Sequence, residues 1–174
     1  MRIKFLSLSF CFLIINMNHL IGQNLEKLKQ ERDSIYQSNI KKSRLYGVYI
    51  PVDLQDAIGE LKRLSDEESL RKYKNAPEDF VVKKLFFGVG RWMSYNWNFE
   101  EGSRMSLYLY NLGLRNPDDM VEFMLRAFHR DLNFEPINES ALVAQINEKR
   151  AILDEEQKSK QVIIKEESIK KTNE

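Results

Sequence analysis

The aromatic residues of this chain are distributed unevenly, and this constrains the fold more than any other feature. The chain has nineteen aromatic residues (10 Phe, 7 Tyr and 2 Trp), and thirteen of them lie between Tyr73 and Phe134. Cys11 is the only cysteine, so no disulfide can form within the chain and stability must come from a packed core. The sequence therefore predicts one aromatic-rich domain with more polar segments on both sides.

The N-terminus has the pattern of a secretory signal peptide. Arg2 and Lys4 precede an apolar run over residues 5–15, which is shorter than the roughly 20 residues of a membrane-spanning helix. Cleavage after Gly22 would leave 152 residues with 25 basic and 26 acidic side chains. We therefore expect export to the periplasm or the extracellular space, with no stable transmembrane segment after cleavage. Lipidation at Cys11 and an uncleaved anchor are the alternatives.

The composition excludes several classes of protein. The 27 basic and 26 acidic residues nearly cancel, which argues against a general nucleic-acid binder. Charged residues make up 30% of the chain, which is too many for a protein with several membrane spans. The hydrophobic content of 43% is too high for a wholly disordered chain.

Helix start signals recur along the chain and predict an all-α fold. We expect helices to start near Asp53, Ser65, Pro77, Ser103, Asn116 and Asn138. A polar helix is expected over residues 24–44, followed by a short extended stretch over 47–52 that has no strand partner. No internal repeat is present. The prediction is a single compact multi-helix domain with a polar N-terminal helix and a charged, partly helical C-terminal tail.

These patterns divide the chain into four segments. They are a signal peptide over 1–22, a polar helix or linker over 23–48, an aromatic-rich helical domain over 49–147, and a charged helical or disordered tail over 148–174. The tail mixes charges of both signs, which is typical of a solvated helix, and a partner-binding helix is the alternative.

Residues that could support catalysis are few. His129 is the only histidine after the signal peptide, and a single histidine near the end of a helix more often has a structural role. The adjacent acids Glu100-Glu101 and Asp118-Asp119 are candidate acid pairs, and the second pair is explained by its place at a helix start. No spacing indicates a metal site or a cofactor loop, so we expect neither.

Trp92 and Trp97 are five residues apart, so on one continuous helix their side chains diverge by about 140°. Both therefore cannot lie in one narrow apolar stripe. Either Trp97 packs in the core beneath the loop over 98–102, or it lines an aromatic groove flanked by arginines. A groove of that kind would suit a protein, a peptide or a glycan.

A series of short motifs runs from Ile50 to Asn133. They are Ile50-Pro51, Ala57, Gly88, Gly90, Trp92, Asn96, Trp97, Gly102-Ser103, Pro117-Asp118-Asp119-Met120 and His129-Arg130-Asp131-Leu132-Asn133. With these motifs the stretch resembles an uncharacterised family of small bacterial domains of unknown function. The chain departs from that pattern at Tyr95, where the family often has arginine, and at Phe99-Glu100, which replaces a more apolar pair. The resemblance implies a helical domain without an established activity.

The leading functional hypothesis is an exported, non-enzymatic binding module. Its candidate binding residues, expected to lie together if the helices pack antiparallel, are Arg91, Trp97, Arg104, Asp118, Asp119, His129 and Arg130. One alternative is a small periplasmic hydrolase of cell wall or peptide, in which His129 or the Asp118-Asp119 pair acts as the acid–base group. A further alternative is an immunity or inhibitor protein.

Overall fold

The computed structural model describes residues 23–172, and it describes side-chain surroundings as far as Val162. The predicted signal peptide over 1–22, with its cleavage site and Cys11, lies outside the described residues. Within residues 23–172, no helix combines the length and the apolar character that a membrane crossing requires.

The described part of the chain is mostly helical. Its helices are α1 (23–39), α2 (Leu54–Leu64), α3 (Glu67–Asn75), α4 (Glu78–Leu85), α5 (Arg91–Asn96), α6 (Arg104–Asn111), α7 (Pro117–Leu132) and α8 (Glu139–Thr172). A π-helical turn over Phe86–Gly90 joins α4 to α5. The seven helices from α2 to α8 pack into one compact body, which confirms the all-α prediction.

A small β-hairpin follows α1 and was not predicted. Strand β1 (Arg44–Leu45) pairs antiparallel with β2 (Val48–Tyr49). Tyr46 and Gly47 between them have positive φ angles of 49° and 84°, as the two central residues of a type I′ turn do. Helix α1 ends at residue 39, so the expected extension of this helix to residue 44 is wrong. Two-residue strands are too short to show the alternation by which a strand is recognised.

Most of the predicted helix starts are confirmed by their caps. The side chains of Asp53, Ser103, Asn116 and Asn138 each accept a hydrogen bond from the first turn of the helix that follows. The predicted start at Ser65 is wrong by one residue, because Ser65 ends α2 and Asp66 caps α3. The Asp66 carboxylate accepts the backbone N–H of Ser69 at 2.8 Å.

Helix α7 is the centre of the fold. Every residue from Asp119 to His129 is buried, so this helix is covered on all sides. It contacts α2, α3, α4, α5, α8 and the π-helical turn. At Gly90 a Cβ atom would lie 2.6 Å from Val121 Cγ1, so the absence of a side chain there allows the turn to approach α7. The polar residues of α7 must therefore find partners inside the protein.

Candidate functional site

Asp119 is a buried carboxylate that is fully engaged by one arginine. It is 6% exposed, and Arg150 of α8 donates to both of its oxygens, at 2.6 Å from Nη2 and 3.1 Å from Nε. This bidentate geometry is the strongest form of an arginine–carboxylate pair. Asp119 therefore fastens α8 to the start of α7.

Arg126 lies at the centre of the charges that surround α7. Its guanidinium donates to Glu122 of the same helix and, at 2.7 Å, to both Glu78 and Asp79 of α4. Burial disfavours the charged form of Arg126, but the hydrogen bonds to the three carboxylates outweigh this and raise its pKa above the usual value. The second oxygen of Glu122 accepts a bond from Lys149 of α8 at 2.8 Å. These contacts connect three helices.

His129 and Arg130 continue this arrangement toward the end of α7. His129 is 6% exposed, and its Nε2–H donates to the Ala76 carbonyl at 2.8 Å. Arg130 Nε donates to Glu78 Oε2 at 2.9 Å. Burial raises the pKa of Glu78, but hydrogen bonds from Arg130 and Arg126 outweigh it and hold that pKa below its ordinary value.

We call these charges the α4–α7–α8 network. Its members are Glu78, Asp79, Asp119, Glu122, Arg126, Arg130, Lys149 and Arg150. Each of them pairs with another member, so the network links the helices and leaves its charges little freedom to bind a ligand.

Trp97 and Arg104 also have internal roles. Trp97 is completely buried, and its ring lies 5.9 Å from that of Trp92 and 6.3 Å from that of Phe99. Of the two alternatives for Trp97, the structure therefore supports packing in the core. Arg104 Nε donates to the Ile50 carbonyl at 2.7 Å, which ties α6 to the chain leaving the hairpin.

Arg91 and Asp118 are two candidate residues whose side chains remain about half open to solvent. Their side chains are 50% and 43% exposed, and Arg91 Nη1 donates to Asp118 Oδ1 at 3.3 Å. Asp118 is at the beginning of α7, whereas His129 is eleven residues further along, or about 16 Å. The structure thus brings Arg91 and Asp118 together and places His129 and Arg130 at the opposite end of the helix.

A cleft that sequence reasoning missed lies between the hairpin and α5. It encloses about 710 Å³ and is lined by Leu45, Tyr46, Val48, Arg91, Ser94, Tyr95, Asn96, Asn98, Glu100 and Glu101. We call it the Tyr46–Tyr95 cleft. Of the residues proposed from the sequence, only Arg91 lines it.

Two tyrosines in this cleft are almost fully open to solvent. Tyr46 is 86% exposed and Tyr95 is 84% exposed. Tyr46 adopts a left-handed backbone with φ of 49°, and Asn98 on the other wall has φ of 54°. Left-handed backbone is uncommon outside glycine and is unusual for a bulky residue such as tyrosine. Strained backbone of this kind gathers at binding sites, where the surrounding structure holds it in place.

Some polar groups of the cleft have internal partners, as the side-chain amides of Asn96 and Asn98 do, and others have none. Ser94 is 7% exposed, and no hydrogen bond to its hydroxyl is present among the described residues. Glu100 and Glu101 are exposed and form no ion pair with any described residue. This differs from the α4–α7–α8 network, in which every charge is compensated.

The sequence carried one signal for each tyrosine. Met93 and Trp97 are four residues apart, so on a helix they lie on the same, buried side. Tyr95 is two residues from each of them and therefore lies on the opposite side of the helix. Tyr46 precedes Gly47, and a glycine in a two-residue turn permits positive φ. What the sequence could not give is that the two residues face one cleft, since that depends on how the hairpin packs against α5.

Among the described residues, no group of three or more histidine, cysteine, aspartate or glutamate side chains is arranged to hold a metal ion. No curated protein and no solved structure matches the chain. Residues 50–132, which run from the end of the hairpin to the end of α7, match a domain of unknown function, DUF6794. This agrees with the resemblance found over Ile50–Asn133 and with the helical fold. Residues 50–132 of the chain are therefore similar to the DUF6794 domain family.

Proposed function

We propose that this protein is an exported, non-enzymatic binding module and that the Tyr46–Tyr95 cleft is its binding surface. One observation carries the assignment: two tyrosines, each more than four-fifths exposed, line the same cleft. Tyrosine combines a large apolar ring with a hydroxyl, and exposed tyrosines are enriched where proteins bind partners. The proposal of export rests on the signal-peptide pattern of the first 22 residues.

The hydrolase alternative has less support than the binding module. An acid–base group must be free to reach a substrate proton. The Nε2–H of His129 is engaged by the Ala76 carbonyl, and its Nδ1 has no hydrogen-bond partner but is buried away from solvent. The Asp119 carboxylate is engaged by Arg150. An immunity or inhibitor protein would be a special case of the binding module, in which the partner is an exported toxin.

The proposal is tested by binding of the purified protein to a phage-displayed random peptide library and to a glycan array. Binding should be lost in the double variant Tyr46→Ala/Tyr95→Ala, because both tyrosine rings are removed from the cleft. Tyr110→Ala is the matched control, since Tyr110 is 47% exposed on α6 and does not line the cleft.

Thermal unfolding distinguishes lost binding from lost folding. Because both tyrosines are exposed, the double variant should keep a midpoint close to that of the wild type. Ligands that bind the double variant and the wild type equally well would refute the cleft as the binding surface. Turnover of a cell-wall or peptide substrate that disappears in His129→Ala would favour the hydrolase instead.

A further inference from the structure

We propose that the Tyr46–Tyr95 cleft binds a lysine or arginine side chain of an extended peptide segment. This inference rests on the proposed function and names the class of ligand. Four properties of the cleft support it: its charge, the hydroxyl at its floor, its unoccupied aromatic faces and its size.

The charge of the cleft favours a cation. Its charged lining residues are Arg91, Glu100 and Glu101. The charge of Arg91 is offset by Asp118, whose Oδ1 lies 3.3 Å from Arg91 Nη1. Glu100 and Glu101 have no compensating cation among the described residues. Two free carboxylates at one wall therefore leave the cleft with an unbalanced negative charge, which a basic ligand would neutralise.

The floor of the cleft offers a hydrogen-bond acceptor. Ser94 lines the cleft although only 7% of its surface is exposed, so it lies deep. Its backbone carbonyl accepts the N–H of Phe99 at 2.9 Å, but no described residue donates to its hydroxyl oxygen. A hydroxyl that has no internal partner is available to a ligand that enters the cleft. An ammonium or guanidinium group carries donors only and would donate to it.

The two tyrosine rings are free to receive a cation. Elsewhere the protein places its own arginines over tyrosine rings, as with Arg104 at 5.2 Å from the Tyr49 centroid and Arg115 over Tyr110. Among the described residues, no lysine or arginine lies over Tyr46 or Tyr95. A cation held against an aromatic face is attracted by the negative potential of that face, and more strongly when the cation is desolvated.

The size of the cleft favours a peptide over a small cation. A volume of about 710 Å³ exceeds what a single amino-acid side chain fills and lies within the range of ligand sites that hold several groups. Asn96 and Asn98 also line the cleft. Their amide nitrogens donate to the carbonyls of Trp92 and Gly102, so their amide oxygens are the groups that can accept from the N–H groups of a peptide. A neutral glycan would leave both carboxylates uncompensated.

The experiment uses peptides selected from a random display library on the purified protein. We expect lysine or arginine to be enriched in the selected sequences. One selected peptide, acetylated and amidated to remove its terminal charges, is then compared with its Lys→Gln form by fluorescence anisotropy. Glu100→Gln/Glu101→Gln in the protein should weaken the lysine peptide about tenfold and should leave the glutamine peptide unaffected.

Two further variants sharpen the test. Ser94→Ala should also weaken the lysine peptide more than the glutamine peptide, because its hydroxyl is the acceptor at the floor of the cleft. Glu155→Gln/Glu156→Gln makes the same change of charge on the exposed part of α8 and should leave both affinities as in the wild type. An equal loss in this control would reduce the effect to general charge attraction and overturn the proposal.

The remaining outcomes separate this inference from the proposed function. Peptides that depend on Tyr46 and Tyr95 but lack basic residues would overturn the inference and leave the binding module standing. Glycans that depend on the same tyrosines, with no peptide selected, would do the same. If neither peptides nor glycans depend on the two tyrosines, the inference and the proposed function both fail.

Discussion

The surroundings of α7 and the Tyr46–Tyr95 cleft use similar side chains in opposite ways. In the α4–α7–α8 network, buried and half-buried acids and arginines satisfy one another at distances near 3 Å. In the cleft, two carboxylates, a serine hydroxyl and two tyrosine rings have no internal partners among the described residues. Groups that are already paired stabilise the fold, whereas groups left unpaired at a concave surface are available to a ligand.

The largest effect should come from breaking the network at its centre. Arg126 is 8% exposed and bridges Glu78 and Glu122. Arg126→Met keeps an apolar stem but removes the guanidinium that Glu78, Asp79 and Glu122 share, so the buried Glu122 keeps only Lys149 as a partner. We expect the free energy of unfolding to fall by about 3 kcal/mol, measured by urea denaturation.

An exposed pair provides the control for this measurement. Lys158 and Glu155 form an ion pair on α8 in which both side chains are about 70% exposed. Lys158→Met should change stability by less than about 0.5 kcal/mol. If Arg126→Met lost as little as this control, the network would not hold the helices together, and the contrast with the cleft would disappear.

The next largest change in stability should come from alanine at Gly90, and alanine at Gly88 should have the opposite effect. An alanine Cβ at Gly90 would meet Val121 Cγ1 at 2.6 Å, so Gly90→Ala should destabilise the protein by about 2 kcal/mol. Gly88 has no heavy atom within 4 Å of the same position. Gly88→Ala should therefore stabilise the turn by up to about 1 kcal/mol, as alanine does in a helix. Thermal midpoints that move the same way in both variants would contradict this difference.

The sequence predicted the helices better than the turn between two of them. Caps such as Asp53, Ser103 and Asn116 are local signals, because the capping side chain and the N–H it accepts are three or fewer residues apart. Gly88 and Gly90 are only two residues apart in the sequence, yet only Gly90 is approached by α7. Which glycine faces α7 depends on the π-helical turn, which shifts the register of the helix and leaves no mark in the apolar spacing.

The candidate site was predicted less well, for a physical reason. Ionisable side chains such as Asp119 and His129 are recognised as candidate site residues from their type alone. Their partners, Arg150 and Ala76, are distant along the chain. Only the fold shows that these groups are already engaged. Tyr46 and Tyr95 are 49 residues apart, and neither residue alone indicates a binding site.

Acid should weaken the network through Glu78. Its pKa is lower in the folded protein than in the unfolded chain, where it is about 4.3. The stabilisation is therefore fully present above the unfolded value and is lost as pH falls through the folded value. Urea midpoints measured between pH 7 and pH 3 should fall less steeply in Glu78→Gln than in the wild type. Parallel curves for the two proteins would show that Glu78 does not contribute to the acid sensitivity.

The smallest expected effect tests whether the strained backbone of Tyr46 is linked to binding. Tyr46 holds φ of 49° although it is 86% exposed and contributes little to packing. Asparagine tolerates this conformation better, so Tyr46→Asn should raise the free energy of unfolding by about 0.5–1 kcal/mol while weakening peptide binding. Tyr46→Ala keeps a Cβ atom and hence the strain, so it should weaken binding without the gain in stability. If Tyr46→Asn bound peptides as well as the wild type does, the exposed ring would have no role in recognition, and the strain at the turn would need another explanation.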